Sequence, residues 1–74
     1  MKKSKTARGF TVVEFADHSN NLCSIQESSA IGEMDKPGAS YLWIGVAGLR
    51  MHVNRKQAKE IARLINRWVK TGEL

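Results

Sequence analysis

The stretch Arg50 to Leu74, RMHVNRKQAKEIARLINRWVKTGEL, constrains this chain more than any other. It reads as one short strand running straight into the only long helix. Asn54 is a good N-cap, and Gln57 stands three residues on, as a capping box requires. From Ala58 the apolar residues Ala58, Ile61, Ala62, Ile65, Trp68 and Val69 recur at helical spacing. At about 100° per residue they gather on one side of the helical wheel. Lys56, Lys59, Arg63, Arg67 and Lys70 gather on the opposite side. Lys70 then places a cation near the C-terminus, and Gly72 offers a C-cap. A helix built this way needs an apolar surface to lie on.

The chain has 74 residues, enough for one domain. A domain of this size buries only about 60% of the surface its unfolded chain exposes, so a monomer is marginal. Cys23 is the sole cysteine, which excludes an internal disulfide and a thiolate cluster for zinc. Oligomerisation is the remaining remedy, and a homo-oligomer is expected. The cysteine usage fits a reducing cytoplasm. No apolar run reaches the ~20 residues of a membrane span. The basic start, MKKSKTARG, is not followed by a hydrophobic segment of signal-peptide length. The expected location is therefore cytoplasmic, with no membrane partner. Twelve Lys and Arg against seven Asp and Glu give a net charge of +5, which favours anionic partners.

Residues 1–9 read as a basic flexible arm and residues 10–74 as a single α+β domain. Phe10 to Ala16, FTVVEFA, is rich in β-branched and aromatic residues and reads as a strand. Asp17 to Asn21, DHSNN, is turn chemistry, because Asp and Asn bond locally and tolerate left-handed backbone. Leu22 to Glu27 completes a hairpin. Ser28 to Ser40 is an irregular loop, with a short helical turn expected over Ala30 to Met34. Tyr41 to Val46 is a third strand, Ala47 to Leu49 a tight turn, and Arg50 to Val53 a fourth strand. The expected fold is a small four-stranded antiparallel sheet with one C-terminal helix packed on one face.

Strand side chains alternate, so the sheet sorts into two faces. Cys23 and Ile25, Leu42, Ile44 and Val46, and Met51 and Val53 form apolar sets that suit the helix. The other face carries Ser24, Gln26, Tyr41, Trp43, Arg50 and His52. An uncovered polar and aromatic patch of this kind marks a subunit interface, a ligand site or plain surface, and Tyr, Trp and Arg are the residues enriched at binding hot spots. Ser24, Gln26, Trp43, Arg50, His52 and Arg55 are the candidate ligand residues. Arginine and histidine beside a helix N-terminus suit a phosphate or carboxylate.

Other chemistry finds less support. A serine or cysteine nucleophile needs an adjacent base, and no spacing shows that His18 or His52 reaches one. No catalytic residue and no cofactor is assigned. Glu14, Glu27 and Glu33 with two histidines match no metal-ligand spacing. The basic helix stripe of Lys56, Lys59, Arg63, Arg67 and Lys70 is the alternative, a nucleic-acid surface, set against an ordinary solvated face.

The pieces CSIQESS (Cys23 to Ser29), RMHVNRKQ (Arg50 to Gln57) and TGEL (Thr71 to Leu74) resemble a group of small proteins encoded by phages and prophages. That group pairs a hairpin ending in such a Cys-Ser-Leu/Ile-Gln run with an Arg-Met-His helix start. The resemblance implies a non-enzymatic protein of the host-cell cytoplasm that acts by stoichiometric binding to counter host defence. Its sharpest form is sequestration of an anionic nucleotide-type ligand. Blockade of a host protein complex is the other form. Relatives carry longer insertions after the position of Ile44, where this chain has a short turn.

Overall fold

A computed structural model describes residues 1–32, 35–46 and 48–74. The chain is α+β: five antiparallel strands in sequence order, then one C-terminal helix. The strands are β1 (Lys2–Lys5), β2 (Thr11–Ala16), β3 (Leu22–Glu27), β4 (Tyr41–Val46) and β5 (Leu49–Asn54), and the helix is α1 (Arg55–Thr71). The sheet therefore has one strand more than the four expected. The extra strand comes from the basic N-terminal stretch, read as an arm. Its lysines mask it as a strand, yet its backbone pairs with β2 from Lys2 opposite Glu14 to Lys5 opposite Thr11. Lys5 Nζ also donates to Thr11 Oγ1 at 2.8 Å. Lysines on an outer strand discourage further edge pairing, so their position here is physically reasonable.

The turns follow from local chemistry. Between β2 and β3, Asp17 Oδ1 accepts from the backbone N–H of Ser19 and Asn21, and Asn20 adopts a left-handed φ of 64°. These bonds hold the Asp17 carboxyl below its ordinary range, the Asn21 N–H being the largest cause. The expected helical turn over 30–34 includes Glu33 and Met34, and the turn over 47–49 includes Ala47; those residues lie outside the described ones.

The helix has the ends its sequence calls for. Asn54 Oδ1 accepts from Gln57 N while Gln57 Oε1 accepts from Asn54 N, closing the capping box. Gly72 closes the other end at φ 79°, donating to Trp68 O at 2.7 Å. The packing differs from expectation. The helix touches the sheet chiefly through β5 and has no buried residue. Ala58, Ile61 and Leu64 are half-buried, while Ile65, Trp68 and Val69 stay exposed. The cause is the junction: β5 ends at Asn54 and α1 begins at Arg55. A connection that folds a helix back over its sheet usually spends about 2–6 residues, and none is present. Among the described residues, the only buried apolar side chains are Cys23 and Val53.

Candidate functional site

Strand register decides which side chains meet. Gln26, Trp43 and His52 stand directly opposite one another across β3, β4 and β5. Ser24, Gly45 and Arg50 form the next row. Both rows project from the polar and aromatic face, because Cys23, Ile25, Ile44 and Met51 occupy the alternate positions.

The row makes a connected cluster. The His52 ring stacks on Trp43, with centroids 3.9 Å apart and planes 10° from parallel. Tyr41 leans against the same imidazole at 4.9 Å, tilted by 39°. Arg50 Nη1 donates to Gln26 Oε1 at 3.0 Å, and its guanidinium carbon lies 5.3 Å from the Trp43 ring centre. Gly45 permits that reach. Its place between Ser24 and Arg50 carries no side chain, and its φ of 136° is a conformation that favours glycine. No carboxylate among the described residues pairs with Arg50, so most of its five donors remain for an anion.

Beside Trp43 a shallow cleft of about 290 Å³ opens, with Phe10, Arg8 and Gln26 on its walls. The Arg8 guanidinium lies 5.8 Å from the Phe10 ring centre. An adjoining hollow of about 560 Å³ under the 28–40 loop shares Phe10, Glu27 and Ser29 with it and adds Lys36 and Ser40. Glu27 is occupied structurally. Its Oε1 accepts from Thr11 N at 2.6 Å, which holds the carboxyl below its ordinary range, assisted by Lys5 and Lys3.

The candidate residues divide accordingly. Gln26, Trp43, Arg50 and His52 come together. Ser24 shares their face, one row away. Arg55 is drawn off: its guanidinium donates to the Pro37 carbonyl and to the Ala39 carbonyl at 3.1 and 3.3 Å, fastening the loop to the helix start. Ser28, Phe10 and Arg8 were not singled out from the sequence. Ser28 is only 4% exposed, and a 2.8 Å hydrogen bond joins its Oγ to His52 Nε2. Alternation continued one residue past β3 places Ser28 on this face, two positions after Gln26, and its N–H donates to Tyr41 O at 3.0 Å.

This serine–histidine contact supplies two parts of a nucleophilic triad. The third part, an acid orienting the histidine, has no counterpart: no described carboxylate bonds the other His52 nitrogen. Ser28 Oγ also accepts from Ala30 N at 3.1 Å, which suits a role in fixing the ring and the loop. Cys23 is a poor nucleophile. Burial, with the Asp17 carboxylate nearby, pushes its thiol above the ordinary range. Among the described residues, no group of three or more His, Cys, Asp or Glu is placed to hold a metal ion, and no helix is long and apolar enough to cross a membrane.

The basic residues of α1 do share one exposed side. Lys59, Arg63, Arg67 and Lys70 line a groove along it, with Lys56 one turn earlier. Arg63 is paired with Glu60 at 2.9 Å, an exposed contact of small worth. Comparison with protein-family models, curated proteins and solved structures gave no match.

Proposed function

We propose that the chain is a non-enzymatic binding protein whose polar and aromatic sheet face captures an anionic ligand bearing a planar ring, a nucleotide in type. The observation that carries this reading is the row of Gln26, Trp43 and His52 with Arg50 reaching across Gly45. Aromatic rings accept a base by stacking, and a guanidinium accepts phosphate by paired hydrogen bonds. The cluster is preorganised, because His52 is held by Ser28 and stacked on Trp43. The cleft between Phe10 and Trp43 offers room for a ring, with Arg8 at its edge. Resemblance to phage and prophage proteins supports a ligand of host origin and a role in countering defence by stoichiometric sequestration. The binding unit is a homo-oligomer.

Native mass spectrometry of protein purified from infected, defence-positive cells tests this. The expected spectrum shows the protein carrying a mass of nucleotide size, lost in Arg50→Ala. A charge-assisted hydrogen bond to an anion contributes about 1.5–3 kcal/mol, so Arg50→Ala should weaken binding roughly 10- to 100-fold. Retained ligand in a folded Arg50→Ala chain would sink the assignment.

A second reading follows from the exposed cations on one side of α1. A nucleic acid lying there would release counterions, and affinity would fall by about 0.9 in log units per phosphate contact for each tenfold rise in salt. Charge-reversing Lys59 and Arg67 would flatten that slope and leave nucleotide binding at Trp43 unchanged.

A further inference from the structure

Each chain leaves two complementary apolar surfaces uncovered. One is the sheet face bearing Val13, Phe15, Ile25, Ile44 and Met51, set side by side by the register. The other is the helix side bearing Ile65, Trp68 and Val69, which are 51%, 54% and 69% exposed. The helix does not turn back over its own sheet: strand and helix are consecutive, and the helix touches the sheet chiefly through β5. The area involved is large. A compact chain of 8.3 kDa exposes about 4,600 Å², whereas this one exposes 5950 Å². Its radius of gyration is 13.5 Å, against about 11 Å for a compact chain of this length. The excess surface, about 1,350 Å², exceeds the ~800 Å² per partner of a stable protein interface.

We propose that two copies of this chain form a dimer in which the helix of each lies on the apolar sheet face of the other. The dimensions agree. A helix of 17 residues is about 25 Å long, and the strands that carry the apolar residues, β2 to β5, span about 14 Å between the outer two, with Lys3 and Lys5 of β1 at the edge of the face. A two-fold operator satisfies both surfaces of both chains at once, as an exchanged element does. The arrangement leaves the Trp43 face and the basic helix side open to solvent. It gives the homo-oligomer of the proposed function its interface, and it stands or falls separately from the ligand.

The test has two parts. Sedimentation of the full chain at micromolar concentration should give twice the single-chain mass, and Trp68→Asp should shift it to the single-chain mass. A wild-type chain that sediments as a single copy overturns the proposal and assigns the face to some other occupant. Cysteine pairing then reads the geometry independently of that variant's folding. In a Cys23→Ser background, a chain carrying both Met51→Cys and Ile65→Cys should oxidise to a disulfide-linked pair of chains. A disulfide closed within one chain, or a linked pair joined only helix to helix, overturns the exchange. Nucleotide binding by the wild-type chain, lost in Arg50→Ala, reports on the ligand site separately, so a failure of the interface and a failure of the ligand site are told apart.

Discussion

At the scale of single residues, Gly45 couples fold to site. It sits mid-strand at φ 136°, and a Cβ there would meet Arg50 Cα and Leu49 O, each at 3.4 Å. Gly45→Ala therefore combines backbone strain with a close contact against the β5 backbone at Arg50 and Leu49. A loss of about 1–3 kcal/mol is expected in urea unfolding, with weakened ligand binding in whatever fraction folds. Two carboxylates give the chain its acid sensitivity. Asp17 is depressed chiefly by the Asn21 N–H and Glu27 chiefly by the Thr11 N–H. A depressed carboxyl contributes stability that is complete above its unfolded value and is lost as pH falls through its folded one. Stability should thus be level near neutrality and decline below about pH 4, the ordinary carboxylate range. Glu27→Gln should shallow that decline, as followed by circular dichroism against pH. The Ser28–His52 contact tests the non-enzymatic reading directly. A serine-directed fluorophosphonate should leave Ser28 unlabelled, and stoichiometric labelling at Ser28 would contradict it.

At the scale of elements, the junction between β5 and α1 sets how the helix leaves the sheet. Asn54 ends the strand, caps the helix and pairs with Tyr41 in the sheet. Asn54→Ala should cost about 1 kcal/mol through the lost cap, read as a lowered urea midpoint with unchanged slope. Much of this level was legible in the sequence. The alternation in CSIQ, YLWIGV and RMHV placed Gln26, Trp43, Arg50 and His52 on one face, and the register brings them together. Local capping chemistry located both ends of the helix. The missed features share a physical cause. The strand Lys2–Lys5 is recruited by backbone pairing, to which side-chain hydropathy is blind. Arg55 leaves the site because its guanidinium is taken by the loop carbonyls of Pro37 and Ala39, and Ser28 joins because the ladder runs one residue past Glu27, with the Ser28 N–H on Tyr41 O. Periodicity identified an apolar helix side, yet the missing loop between β5 and α1 is what keeps that side off its own sheet.

At the scale of the whole molecule, the proposals give two faces two different tasks. In the proposed dimer the apolar face and the helix hold two copies together, and in the proposed function the polar and aromatic face meets the ligand. An assembly of this kind has a melting temperature that rises with protein concentration, because folding and association are linked. Calorimetry over a hundredfold dilution should show that shift, and a concentration-independent transition would contradict it. The most direct test of ligand capture uses Trp43 as its own reporter. Trp68→Phe leaves Trp43 as the one tryptophan. Titration of that protein with mono-, di- and cyclic nucleotides should give saturable quenching for at least one class, weakened about 10- to 100-fold by Arg50→Ala. A folded protein whose Trp43 fluorescence is unmoved by every nucleotide at millimolar concentration would contradict capture on this face.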